Sequence, residues 1–406
     1  MAIIILDIPL QLDVYLNYQT EAAALGAFGG LNISITTAAL IILYALWFSG
    51  LLIRADSQPR LSLRSSLPLL PYLGFVALSL VIARDVTLSL FQIVFLWQTF
   101  LLYLYIAASI RTRGDVTFIV KMLLICLAFE SLIMIGVYFT GHDLNMSGIS
   151  TKVDADFGRR AGGTFQSPNS AAAYLSLLLA PAFSLLLTDS ERWMKRLAAL
   201  AFGLGTIALI LTLSRGGWLA LLLAGAMLYL AAWRRGWLAP STRVAVAAVV
   251  GLLALIFYVF VFSRVSRDDG GRLILMDLAF RIIRDHPLSG VGANNFVLLI
   301  RRYATPDIEN AWLYTVHNMY LLIWAETGLG GLLAFVFFLV VTLQRGWQCW
   351  KLQDRFLSPL ALGFAAAIMG HMAHMFLDFF NDRPDTQLLW LISGLIVAMN
   401  KMGPEI

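Results

Sequence analysis

The chain reads as an all-α, polytopic transmembrane helical bundle of about eleven to twelve spans. Three observations predict it. Hydrophobic residues make up 60% of the 406 positions and charged residues only 13%, which is too apolar for a soluble globular domain. Apolar runs close to the ~20 residues needed to cross a bilayer recur from one end to the other. Lys and Arg crowd alternate short loops between those runs, the asymmetry that sets orientation in a membrane.

Taken in order, the candidate spans cover residues 33–53, 67–83, 86–110, 116–140, 170–188, 197–213, 216–233, 244–262, 316–343, 357–377 and 386–400. Arg54, Arg60 and Arg64, then Arg111 and Arg113, Arg192, Lys195 and Arg196, Arg234, Arg235 and Arg243, and Arg345, Lys351 and Arg355 mark the cytoplasmic loops. The loops 141–169 and 263–315 therefore face outward. They are the longest and most polar, so chemistry is expected on that face. No repeat of 20 to 50 residues and no appended soluble domain is visible, so 1–406 reads as a single transmembrane domain.

Residues 1–32 are an awkward start, only weakly apolar and interrupted by Asp7, Asp13 and Glu21. Either they lie along the outer interface or a preceding helix is absent; no cleavable signal pattern opens them. The net charge of +5 reflects cytoplasmic arginines, and without a basic stripe interleaved with aromatics nucleic acid is discarded as a partner. Cys126 and Cys349 lie far apart without metal-ligand spacing, which argues against a disulfide or zinc. No metal and no cofactor is required.

The loop 141–169 carries Arg159 and Arg160, then Gly162-Gly163-Thr164-Phe165-Gln166-Ser167-Pro168-Asn169. Ser167 or Asn169 should cap the next helix, because Pro168 suits a first helical turn. Adjacent residues on an extended loop point apart, so one of Arg159 and Arg160 is expected to hold an anion while the other is solvated or faces lipid headgroups.

The loop 263–315 carries Asp268-Asp269-Gly270-Gly271-Arg272, an amphipathic helical pattern to Asp285, and His286-Pro287-Leu288-Ser289-Gly290-Val291-Gly292. With Arg272 as zero, Asp277, Arg281, Arg284 and Asp285 fall between about 120° and 220°. Met276, Ala279 and Ile283 share the Arg272 face. An interfacial helix of this pattern turns Arg272 inward and leaves Arg281 and Arg284 wet. An anion at its first turn would meet a guanidinium together with unpaired amide donors. Asp268 and Asp269 read as a cap and a solvated turn, and His286, between turn-formers, as structural.

His317-Asn318 opens a long apolar run. At about 100° per residue Gly328 and Gly331 fall on the stripe beneath His317 and Glu326 falls opposite. This predicts a base at the mouth of a helix and a glycine groove below, where a neighbouring helix or a lipid could pass. His317 suits a general base, since an unperturbed imidazole titrates near about 6.5; a helix cap at the membrane surface is the plain alternative. Arg215, in Leu213-Ser214-Arg215-Gly216-Gly217, is costly at membrane depth, by about 2.5 kcal/mol or more. It should hold an anion or snorkel to the interface. His371, His374 and Asp378 fall within about 60° of one another, as a relay or substrate contact or as polar glue between helices. Glu130 carries the same two readings.

These motifs together resemble the O-antigen ligase and polymerase superfamily of bacterial membrane glycosyltransferases, over roughly residues 150–400. The matching pieces are Gly163-Thr-Phe-Gln-Ser-Pro168-Asn169, Ser214-Arg215-Gly216, Gly271-Arg272, His286-Pro287-Leu-Ser-Gly290-Val-Gly292, and His317-Asn318 followed after nine residues by Gly328-x-x-Gly331. The last is similar to the signature of the ligase branch.

The resemblance implies a GT-C-like bundle with about twelve spans and short interfacial helices, set in the bacterial inner membrane with its site facing the periplasm. It implies transfer of a glycan from undecaprenyl pyrophosphate to a sugar hydroxyl of the lipid A core, with inversion and without a metal. His317 would be the base, Arg215, Arg272, Arg159 and Arg160 the pyrophosphate binders, and Asn318, Asp378 and His374 acceptor contacts or supports. A polysaccharide polymerase using the same donor and, from another class, a small-anion transporter are the alternatives.

Overall fold

The structure, a computed structural model, describes residues 1–53, 67–142, 145–146, 149–154, 159–165, 167–187, 191–237, 251, 255, 258, 269–304 and 313–402. In chain order they form α1 (Ala2–Leu10), β1 (Asp13–Leu16), α2 (Thr20–Ala24), β2 (Leu31–Ser34), α3 (Ile35–Ile53), α4 (Leu70–Leu78), α5 (Val86–Ser109) and α6 (Arg113–Thr140). Next come β3 (Asn145–Met146), β4 (Ile149–Ser150), β5 (Lys152–Asp154), β6 (Arg160–Gly163), α7 (Pro168–Leu186), α8 (Arg192–Thr212) and α9 (Arg215–Arg235). The remainder is α10 (Asp269–Asp285), α11 (Ile300–Tyr303), α12 (Met319–Gln348), α13 (Leu357–His374) and α14 (Arg383–Lys401).

This is an all-α bundle, and its strands form only three two-stranded antiparallel hairpins among the described residues. Seven described helices are long and apolar enough to cross a membrane: α5, α6, α7, α8, α9, α12 with the short turn after it, and α13. The expected spans at 33–53 and 67–83 contain shorter apolar helices, and the expected span at 244–262 falls almost wholly outside the described residues. α14, at the last expected span, is buried along nearly its whole length.

Close packing rests on small residues, as it must where the surroundings of a helix are as apolar as its neighbours. α13 lies against α7 and α9; a Cβ on Gly370 would collide with the backbone of Ala220, and one on Gly363 would meet Ser184 and Pro181. Helix starts follow local chemistry. Ser167 caps α7 with Pro168 in the first turn, Ser214 caps α9, and Asn318 caps α12 by accepting from the Leu321 amide at 3.0 Å. Each satisfies an amide that the first helical turn leaves without an internal partner.

Residues 1–32 are built into the His317 end of the bundle. Ile4, Ile5 and Ile8 of α1 are fully buried, and β1 pairs with β2 from Asp13–Ser34 to Leu16–Leu31. Buried Arg383 donates to Asp7 at 2.9 Å and lies 3.0 Å from Asp13, while Thr36 donates to Asp7 at 2.7 Å. At the other end lie the basic turns: Arg113 meets Asp354 at 3.4 Å, Arg235 donates to the Trp350 carbonyl, and Lys401 reaches the Ala107 carbonyl at 3.0 Å.

The expected glycine groove below His317 is corrected. α12 is broken at Gly328, whose φ of 73° and ψ of 178° are not helical, so the phase carried from His317 does not run through it. The space beside the break is filled by residues 286–292. Leu329 N donates to Pro287 O at 3.0 Å, Val291 N to Ala325 O at 2.9 Å and Gly292 N to Glu326 O at 2.9 Å. The loop thus takes up backbone groups that the break frees. A Cβ on Gly328 would strike the Leu288 carbonyl, and one on Gly290, also at positive φ (70°), the Glu326 carbonyl. Gly331 packs on Thr327 and Phe75. The glycines therefore admit a loop of the same chain.

Candidate functional site

The tip of α12 meets the turn that follows α13. Met319 N donates to Met375 O at 2.9 Å and to Asp378 O at 3.1 Å, Asn318 donates to Phe376 O at 3.1 Å, and Tyr320 donates its hydroxyl to Met372 O at 2.8 Å. The first amide of α12 and two side chains at its start are thus spent on residues 372–378. That fixes His317 beside Asp378.

His317 Nδ1 lies 2.7 Å from Asp378 Oδ1. Burial pushes the Asp378 carboxyl up, but the His317 hydrogen bond and the nearby positive charge of Arg272 help to outweigh it and hold it below the usual carboxylate range. Asp378 is then a carboxylate, an acceptor only. Nδ1 must donate, which leaves the lone pair of the neutral ring on Nε2. The imidazole sits between Tyr314, 5.9 Å away and nearly parallel, and Phe379, 5.6 Å away and tilted steeply.

The other carboxylate oxygen of Asp378 accepts from the Asn169 amide in the first turn of α7. Asn169 in turn accepts from Arg160 Nη2 at 2.7 Å, and Arg160 Nε donates to the Thr212 carbonyl at 2.8 Å. Arg160, Asn169, Asp378 and His317 are therefore one hydrogen-bonded chain drawn from β6, α7, the turn after α13 and the tip of α12. Strand geometry sends the neighbouring side chain elsewhere: Arg159 lies exposed over the Tyr138 ring at 5.0 Å and donates to the Tyr138 carbonyl. The loop is anchored by Glu130, whose oxygens accept from Thr164 N at 3.0 Å and Thr164 Oγ1 at 2.9 Å.

α10 turns as its charge pattern requires. Ala279 and Ile283 are buried; Arg281 pairs with Asp277 at 2.7 Å on the outer face, and Arg284 is 80% exposed. Arg272 points the other way and donates to Leu377 O at 3.2 Å, one residue from Asp378. The first turn of α9 closes on the same segment, since a Cβ on Gly216 would run into the His374 ring. Arg215, beside it, is half-buried. His374 and His371 are buried under Phe380, with ring centroids 4.7 and 4.9 Å from it. Asp268 and Gln166 lie outside the described residues.

Beside His317 opens a cavity of about 640 Å³. His317, Asp378, Phe379 and Tyr314 line it together with Asp13, Tyr15, Tyr18 and Phe28 of the N-terminal segment. Asn294, in a left-handed conformation at φ 62°, holds that segment. Its amide accepts from Phe28 N at 2.8 Å and donates to Phe28 O and Leu88 O, each at 2.9 Å. Asn295 similarly ties Asp85 and Ser89 of the α5 start. Neither asparagine stands out in the sequence. The usable signal is the pair itself, two adjacent amides just after a turn glycine, a common way to satisfy backbone groups in an irregular segment.

No match was found among curated proteins. Residues 200–336, the stretch that contains Arg215, Arg272, His317 and the Gly328 break, match the family described as O-antigen ligase, and this match supports the O-antigen ligase superfamily over that stretch.

Proposed function

We propose that the protein is an O-antigen ligase of the bacterial inner membrane. It transfers a glycan from undecaprenyl pyrophosphate to a sugar hydroxyl of the lipid A core on the periplasmic face, with inversion and without a metal. The observation that carries the reading is the 2.7 Å contact between His317 and Asp378 at the edge of a large cavity, with Arg272 bound to the carbonyl of the preceding residue, Leu377.

His317 Nε2 takes the proton from the acceptor hydroxyl as its oxygen attacks the anomeric carbon. The bond from that carbon to the pyrophosphate oxygen breaks on the opposite face, and the electron pair leaves with the pyrophosphate. Arg215 and Arg272 hold that group and stabilise the charge it gains. Asp378 is a positioning residue, fixing the tautomer and supporting the imidazolium that forms. Arg160 and Asn169 act one step further out, by orienting Asp378. The basic turns gathered at the opposite end support a periplasmic site.

The test is reconstitution of the purified protein with undecaprenyl-pyrophosphate-linked glycan and separated lipid A core. Glycan joined to the core is the expected product. Lengthened lipid-linked glycan with unmodified core would make the protein a polymerase, and solute uptake without any glycan product would make it a transporter.

A further inference from the structure

The cavity beside His317 is unlike the arginine side of the same segment. Arg272 contacts residue 377 from α10 and α9 packs its first turn on His374, yet neither Arg215 nor Arg272 is among the residues lining the cavity. Among the described residues the lining holds the carboxyl groups of Asp13, Asp378 and Asp382 and one guanidinium, that of Arg383, which is already engaged by Asp7 and Asp13. A pyrophosphate entering there would meet like charge. Sugar hydroxyls would meet good acceptors.

The aromatic side chains have a matching arrangement. Tyr314 and Phe379 flank His317. In the N-terminal part of the lining Tyr15 contacts Tyr18 at 5.7 Å and Phe28 at 6.2 Å, edge to face in both cases, and Tyr18 is 53% exposed. Aromatic faces offer broad apolar area with a polar handle, the complement of a pyranose, which carries C–H groups on its faces and hydroxyls on its rim. About 640 Å³ lies within the range of ~300–1,000 Å³ typical of small-molecule sites. That is room for a short stretch of sugars.

We infer that this cavity is the acceptor-sugar subsite, and that the N-terminal segment from Asp13 to Phe28, outside the matched residues 200–336, is its specificity wall. The inference rests on the ligase reading and adds which side of the 374–378 segment each substrate uses. A base must reach the proton it removes, and His317 lines this cavity. The acceptor therefore enters from the N-terminal side and the donor pyrophosphate from the α9 and α10 side.

The test uses the full chain in lipid nanodiscs with two probes, deacylated lipid A core oligosaccharide and inorganic pyrophosphate, beside transfer kinetics. Tyr15→Ala with Tyr18→Ala should weaken oligosaccharide binding and raise the acceptor KM roughly tenfold, the loss of two aromatic contacts. Pyrophosphate binding and donor KM should stay unchanged, and Tyr18→Phe should lose less acceptor affinity than Tyr18→Ala. If the double variant loses thermal stability, Tyr18→Ala alone carries the test, because that ring is half exposed. Unchanged oligosaccharide affinity in a stable variant, or a loss confined to pyrophosphate, overturns the inference, while the ligase reading still stands or falls with transfer by the wild type. Wild-type protein that binds the oligosaccharide through Tyr15 and Tyr18 but transfers nothing to it would sink the ligase reading and keep the subsite.

Discussion

Two places on one run of sequence, His317 at the tip of α12 and Gly328 at its break, look equally motif-like but do different work. At the tip the Met319 amide is tied to the carbonyls of Met375 and Asp378, and the His317 side chain lines a cavity beside its carboxylate partner. At the break the side chain is absent by necessity, and the freed backbone is taken up by residues 287–292. On the ligase reading the tip holds chemistry, while the break holds the loop between α10 and α12 in place. A substitution at one should cost turnover first, and at the other stability first.

The sharpest way to break this contrast is His317→Ala, expected to lower the transfer rate by roughly 10³-fold, within the span of general-base contributions, with a smaller fall in thermal midpoint than the break variant. A fall in that midpoint as large as that of the break variant would erase the distinction. Gly328→Ala should cost about 3 kcal/mol or more of stability, because the positive-φ backbone is strained for alanine and the new methyl meets the Leu288 carbonyl. Thermal unfolding in detergent checks it.

Asp378→Asn keeps the shape and loses the charge, and should lower kcat by about 10²-fold through the imidazole it positions. Its pH behaviour has a definite sign. Because the carboxyl is held below the ordinary range, the contact with His317 is present above that range and is lost only as pH falls through the depressed value. Activity lost between about pH 7 and 5 therefore does not report Asp378.

Smaller effects sharpen the two sides of α10. Arg272→Ala should raise the donor KM roughly tenfold, the order of one charge-assisted contact. Arg281→Ala, which removes only an exposed pair with Asp277, should change activity less than about twofold. A reversal of that order would refute the inward turn of Arg272.

Much of this is legible in the sequence alone. Apolar length marks the long helices, and charge phase in α10 marks the inward turn of Arg272 and the wet Arg281, because both depend on short-range periodicity. The separation of Arg159 from Arg160 follows from strand geometry in the same way. The groove expected below His317 fails, since a helical phase holds only while the helix continues, and one glycine outside the helical region resets it. Asn169 can be read as a helix cap but not as the partner of Asp378, some 209 residues away. The N-terminal segment is opaque for a related reason: the partner that makes Asp7 and Asp13 tolerable is Arg383, and nothing local points to it.

That partnership bears on how the chain is made. Asp7 is synthesised 376 positions ahead of Arg383, which opens α14. Until α14 inserts, two acids that end up buried have no countercharge and must stay in water, so α1 and the β1–β2 hairpin cannot settle before then. Closure of the His317 cavity by its N-terminal wall is consequently a late event in assembly. A chain halted before residue 383 would leave that wall undocked, and the cell's quality control would meet a bundle with an open end rather than a nearly finished one.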